Sequence, residues 1–320
     1  MANLIIKQML QLRTQSVVTY TKVIDKKKEQ QKEALKAFNK QYKKSSTKVS
    51  NFKNTKSYSG KTNVHNKRRI RKACNLLNQI SKTQVIFNPI TQKNFEFRLT
   101  FITLTIPDKV TDKTGKELYN VLLKPMIKHL QQVYKMNSYI WKAEYQKRGV
   151  IHYHLTTNVF IPHDRLRMKW NKLIYNNGYM SNYIKRYKSK NPNSTDIHKV
   201  YNDVNMEIYL EKYISKDDNN ETSINGKVWD CSDNLKAFNY FTTELNEQHI
   251  NNMAKKELLE NANSFGNDFY EIIFFNKPII HKILTGFEHQ IYDEYTKGVE
   301  NFKTLKKTNK LAPYQKYLKN

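Results

Sequence analysis

The chain has 320 residues, with 56 lysines and arginines against 28 aspartates and glutamates and a formal net charge of +28, so it is long enough for a sizeable core and basic enough to point to a polyanionic partner. Two cysteines, Cys74 and Cys231, exclude a disulfide framework and lack zinc-site spacing, which predicts free thiols in a reducing cytosol. No run of about 18 apolar residues occurs, and the apolar start of the chain is broken by Lys7 and Gln8, so neither a membrane span nor a secretion signal is expected.

The charge excess is uneven. Residues 1–72 hold 20 basic and 3 acidic residues, and residues 301–320 hold six lysines and no acid. Basic ends of this kind suit a phosphate backbone gripped without reading its sequence, although solvated lysine runs need no ligand. Residues 1–60 read as a basic, largely mobile N-terminal arm with one helix expected around Glu29 to Tyr42. Gly60-Lys61-Thr62 is not a phosphate loop, because Thr55 stands where the first glycine is required and no apolar strand precedes it. From Val64 to Thr83, Ile70, Ala73, Leu76, Leu77 and Ile80 recur at helical spacing behind Arg68, Arg69, Arg71 and Lys72, which predicts an amphipathic helix with a basic start. A turn is expected from Phe87 to Asn94, then one strand throughout Phe95 to Ile106, ending at Pro107. Glu117 to Lys135 reads as a helix that Pro125 kinks or restarts.

Next comes the stretch with the clearest chemistry. Tyr139 to Tyr145 and Gly149 to Leu155 are strand-like runs, and Gly149 suits the left-handed position of a short hairpin loop. Strand alternation points His152 and His154 one way and Ile151, Tyr153 and Leu155 the other, into a core. With a loop over Lys147, Arg148 and Gly149, Glu144 stands opposite His152. Two imidazoles and one carboxylate on one face can hold a divalent cation with positions left for substrate oxygens; an ordinary cross-strand contact on a wet sheet face would satisfy the same pattern. Pro162-His163-Asp164 opens a helix that stops at Asn176-Asn177-Gly178, with His163 as a helix-start residue. Residues 179–195 interleave Tyr179, Tyr183 and Tyr187 with Lys185, Arg186, Lys188 and Lys190, a composition that suits stacked bases and paired phosphates, or a solvated loop. Ile197 to Tyr201 is a short predicted strand.

Asp203 caps a predicted helix over Val204 to Lys216. At about 100 degrees per residue, Tyr209, Tyr213, Lys212 and Lys216 share one arc, beside a core stripe of Met206, Leu210 and Ile214. A free phenol ionises near pH 10, so it attacks slowly unless cations favour phenolate or a metal polarises its target. The same tyrosines at i and i+4 could equally pack against a sheet edge. Further on, Val228 to Ser232 and Phe269 to Phe275 read as strands, and Leu245 to Ala262 and Lys282 to Lys297 as helices.

Taken together, Phe101 to Thr105, His152-Tyr153-His154 and Tyr209-x-x-Lys212-Tyr213-x-x-Lys216 resemble the three motifs of the HUH endonuclease superfamily. The order and paired tyrosines are most similar to the two-tyrosine rolling-circle replication initiators of small single-stranded DNA phages, the gene A protein group. The resemblance covers roughly residues 60 to 240. It implies an α+β fold with a central antiparallel sheet of about five strands flanked by helices, and an endonuclease domain over residues 61–235. Residues 236–300 would be an α/β accessory region, and residues 301–320 a basic C-terminal tail. It further implies Mg²⁺ or Mn²⁺ on His152, His154 and Glu144, with Tyr209 and Tyr213 as nucleophiles assisted by Lys212 and Lys216. The implied reaction is nicking of single-stranded DNA at an origin, giving a 5′-phosphotyrosine and a 3′-hydroxyl primer, followed by rejoining to circularise the product strand. Single-stranded and duplex origin DNA are the implied substrates in the cytoplasm of a host cell. A host helicase and polymerase would be partners, because the chain carries no helicase module. Two other readings compete: a two-tyrosine HUH transposase, and a non-catalytic basic nucleic-acid-binding protein in which the histidines and tyrosines are structural.

Overall fold

Twofold alternation of apolar side chains governs the parts of the chain that carry the candidate chemistry. The computed structural model describes residues 4–42, 64–88, 91–108, 114–146, 149–200, 224–260, 262–275 and 278–319. In chain order its strands are β1 (Leu4–Leu12), β2 (Ser16–Asp25), β3 (Gln84–Asn88), β4 (Lys93–Phe97), β5 (Thr100–Thr105) and β6 (Tyr139–Tyr145). They continue with β7 (Ile151–Thr157), β8 (Thr195–Lys199), β9 (Trp229–Cys231), β10 (Thr242–Glu244), β11 (Asn263–Asn267) and β12 (Tyr270–Phe274). The fold is α+β, with two antiparallel five-stranded sheets and helices. The chain divides into two compact units, Met1–Ser57 with Phe241–Gly286, and Tyr58–Tyr240 with Phe287–Asn320.

The second unit contains the sheet β8-β5-β7-β6-β9. On one face, Ile102, Leu104, Trp141, Ala143, Tyr153 and Leu155 are all buried. The helix His163–Asn176 covers this face through Trp170, whose ring meets Tyr153 edge-on at 6.4 Å and whose Nε1–H donates to Thr105 O at 2.8 Å. Tyr119 stacks on Trp141 from a second covering segment, with ring centroids 5.2 Å apart. That segment corrects the single helix expected over Glu117 to Lys135. A capping box between Thr114 and Glu117 starts Gly115–Leu118, a wide π turn follows over Tyr119–Leu123, and Lys124–Val133 completes it. Pro125 lies in the first turn of the last piece, and the wide turn gives its ring room that a regular α-helix would deny.

The strand expected throughout Phe95 to Ile106 is also two strands. Between them the Arg98 guanidinium donates to Asn78 O and Ser81 O, both at 2.8 Å, which ties this point to the end of the helix Val64–Ile80. Before the break, β4 pairs with β3 as a separate two-stranded sheet, so Gln84–Asn88 is a strand where only a turn was expected nearby. At the other end of the unit, residues 301–320 are tied down rather than trailing. Phe302 and Tyr317 are buried, and Lys319 N–H donates to Ala237 O at 2.8 Å.

The first unit contains the sheet β10-β1-β2-β12-β11. Residues 4–25, read from composition as part of a mobile arm, form a paired hairpin in which Leu10, Leu12 and Val17 are fully buried. Its partners come from residues 242–274, so no local window reveals that these lysine-flanked residues have a core to enter. The region 236–300 is divided accordingly, with 241–286 in this unit and 287–300 in the other. Its two expected helices are each broken, into Glu247–Met253 and Lys256–Leu259, and into Ile280–Ile283 and Phe287–Glu300 on either side of Gly286 at φ 35.

One lysine of the second unit carries a measurable consequence. Lys72 donates to Phe238 O, and burial, then the neighbouring Lys319 charge, push its pKa down to about 7. The unfolded chain keeps that proton to about pH 10, so between the two values the unfolded state binds more protons and stability rises with pH. Chemical denaturation of wild type and Lys72→Met should therefore diverge. Wild type gains stability as pH climbs from about 7 toward about 9, and the methionine variant loses that part of the rise.

Candidate metal centre

The hairpin that carries the centre folds as its sequence dictates. Gly149 adopts φ 78, and its N–H donates to Gln146 O at 2.8 Å. The resulting β6–β7 register pairs Glu144 with His152 and Lys142 with His154, while β5 places Thr103 against His154 and Thr105 against His152. Directly opposed residues share a face. The face away from the aromatic core therefore carries Glu144, His152, His154, Lys142, Thr103 and Thr105.

Glu144, His152 and His154 converge, each offering one ligand atom within 4.8 Å of the others. Glu144 Oε2 lies 3.6 Å from both His152 Nε2 and His154 Nε2, longer than a hydrogen bond. The imidazole rings stand 4.4 Å apart at 67°. Thr103 Oγ1 meets His154 Nδ1 at 3.2 Å; in the tautomer whose Nδ1–H donates to this hydroxyl, Nε2 turns its lone pair toward Glu144. Phe101 stacks on the same ring at 5.2 Å and limits its rotation.

Electrostatics favour an ionised carboxylate. Burial by itself would raise the Glu144 pKa, but His152, His154 and the Lys142 ammonium together hold it well below the usual carboxylate range. Lys142 has a fully buried side chain, with Nζ 3.0 Å from Glu144 Oε1. It is enclosed at the edge of this face, where Trp229 pairs with it and Arg69 of the helix Val64–Ile80 sits over the Trp229 ring at 5.4 Å. Burial pushes the His154 pKa down, against the opposing pull of Glu144, so the neutral ligand form is favoured.

The residues fit a divalent cation. Both ring nitrogens of His152 are buried with no hydrogen-bond partner among the described residues, an arrangement that is costly for imidazole unless something else occupies it. Two neutral imidazoles and one carboxylate make a donor set with open positions. Glu144, His152 and His154 thus form a possible metal-binding triad, as their spacing predicts. The tyrosine helix expected over Val204 to Lys216, with Tyr209, Lys212, Tyr213 and Lys216, lies outside the described residues. Two members of the arrangement escape the sequence reading, Lys142 and Thr103. Lys142 shows the signal most plainly, because it stands two residues before Glu144 and strand alternation puts it on the same face.

Residues 99–218 match the family model of replication-associated proteins described by ORF2 and the gene 2 protein. The matched segment starts at the residue before β5, includes the whole triad and ends beyond both tyrosines. It supports a role in rolling-circle replication initiation, and with it DNA binding and nuclease activity in general. No curated protein and no solved structure matches the chain. Among the described residues, no helix is long and apolar enough to cross a membrane.

The Glu144–Lys142 contact predicts a stability effect that needs no substrate. Glu144→Gln removes the carboxylate facing a fully buried ammonium and should cost on the order of 3 kcal/mol in urea unfolding at neutral pH. Because the folded-state pKa is depressed, the carboxylate's contribution is present above the unfolded value of about 4.3 and fades as pH falls below it. The deficit of the glutamine variant should shrink over the same acid range.

Proposed function

We propose that the protein initiates rolling-circle replication by cutting one DNA strand at an origin and carrying the 5′ end on a tyrosine. The single observation behind this reading is the Glu144, His152 and His154 triad on an antiparallel sheet, inside the segment that matches the replication-associated family. The triad would hold Mg²⁺ or Mn²⁺, which when bound supplies Lewis-acid polarisation of a phosphate oxygen. Thr103 and Phe101 keep His154 oriented, and Lys142 keeps Glu144 ionised.

The nucleophile is the phenol oxygen of Tyr209 or Tyr213. It forms a bond to phosphorus as the bond from phosphorus to the 3′ oxygen breaks. The phenolic proton is lost, and the departing 3′ oxygen takes up a proton to become the primer hydroxyl. Lys212 and Lys216, one turn apart on the predicted helix, favour the phenolate. The phosphotyrosine keeps an ester bond available for rejoining, so no nucleotide is consumed. A second tyrosine cuts the regenerated origin while the first still holds its strand, which permits closure of a unit-length circle. Strand separation and synthesis fall to a host helicase and polymerase.

The decisive experiment incubates the full chain with labelled single-stranded oligonucleotides and Mn²⁺, then maps the residue that retains DNA. Each of Tyr209→Phe and Tyr213→Phe should leave partial nicking, and the double variant none. His152→Ala and His154→Ala should weaken Mn²⁺ binding in calorimetry by about tenfold or more and remove cleavage more than DNA affinity. Undiminished nicking by the double phenylalanine variant overturns the assignment.

A further inference from the structure

The helix Ser181–Tyr187 and the end of β5 enclose a cleft of about 560 Å³, within the range of small-ligand sites. Tyr183 and Tyr187 line it with ring centroids 4.7 Å apart and a 39° tilt. Arg186 Cζ stands 5.2 Å from the centre of the Tyr187 ring, and Tyr187 remains 55% exposed. The acid on the wall, Asp108, is already committed, because its carboxylate accepts the N–H groups of Asn182 at 2.7 Å and Tyr183 at 2.9 Å. That contact pins the helix against the strand end and leaves the aromatic and cationic groups to set the character of the cleft. Asn182 and Asn193 add amides that offer both donors and acceptors.

The position of the cleft matters as much as its chemistry. Its floor is Thr105, the register partner of His152. Directly opposed side chains on a sheet lie about 5 Å apart, so the cleft opens beside the triad on the same face. A stacking platform, a guanidinium and amide edges next to a phosphate-handling site match a nucleotide that has left its neighbours.

We infer that this cleft is a subsite for one unstacked base of the single strand whose adjoining phosphate reaches the triad, held by Tyr183 and Tyr187 with Arg186 toward the backbone. The inference rests on the DNA-nicking reading for the identity of the strand. It adds a site of base recognition outside the metal and tyrosine groups.

The test uses the full chain, with anisotropy measured on oligo(dT) and on an abasic strand of equal length and charge. Wild type should prefer oligo(dT) by about tenfold or more, and Tyr183→Ala with Tyr187→Ala should lose most of that preference. The double variant should keep its affinity for the abasic strand, the slope of log affinity against log salt, and Mn²⁺ binding, which together show that it is folded. Arg186→Ala should instead lower the salt slope by about one. A strand carrying 5-iododeoxyuridine should photo-crosslink to Tyr183 or Tyr187. Retained preference in the double alanine variant, or crosslinks confined to other residues, overturns the subsite. A protein that nicks DNA but ignores both substitutions keeps the nuclease reading and loses this one; base preference lost on substitution, with no tyrosine adduct in wild type, does the reverse.

Discussion

The pairing register of β6 with β7 is the constraint on which the centre depends. A slip of one residue would send His152 and His154 to the core face and bring Tyr153 and Leu155 out. The core decides against that slip. Tyr153, Leu155, Ile102, Leu104 and Trp141 are each at most 1% exposed, and full burial of such side chains is worth about 1.5–3 kcal/mol apiece. The contacts among the triad, at 3.6 Å from carboxylate to imidazole, are too long to compete with that sum. The hydrophobic face therefore fixes the polar one, and the ligands converge before any ion or substrate arrives.

Charge within the centre is balanced in an informative way. One carboxylate faces one buried ammonium and two imidazoles, so the protein groups are close to neutral when both histidines are uncharged. A divalent cation among them makes the site strongly positive, which suits a phosphodiester anion. With a second carboxylate instead of Lys142, the same ion would be held more tightly but would attract phosphate less. Lys142 also adds cost: a buried ammonium is expensive to desolvate, and Glu144 offsets that expense only while ionised. Substrate chemistry and local stability are thus linked through one side chain.

How much of this was legible beforehand depends on the range of the interactions involved. The β6–β7 hairpin, the convergence of Glu144 with both histidines, and the helix limits around His163 and Gly178 follow from alternation and turn chemistry within a few residues. The break at Arg98 does not, because it exists to satisfy carbonyls of Asn78 and Ser81 that lie earlier in the chain. Nor do β1 and β2, whose burial depends on strands from residues 242–274. Lysine-rich composition there suggested an unstructured arm, yet Leu10, Leu12 and Val17 already carried the apolar positions of a sheet. Thr103 belongs to the same class of omission, since its contact with His154 Nδ1 requires knowing that β5 pairs with β7.

Binding and chemistry draw on different parts of the charge. Most of the excess lies in residues 1–72 and 301–320, while residues 73–300 hold 30 basic and 25 acidic residues. Charges at the surface act on DNA through counterion release and fade over about 10 Å at moderate salt, so residues distant from the sheet cannot polarise a phosphate at the triad. Their contribution is local concentration of the strand. At the triad, the decisive charges are few and desolvated, and salt screens them far less. Raising ionic strength should therefore weaken capture of DNA steeply while leaving the reactivity of a strand already held almost unchanged, a separation that follows from where the two sets of charges lie.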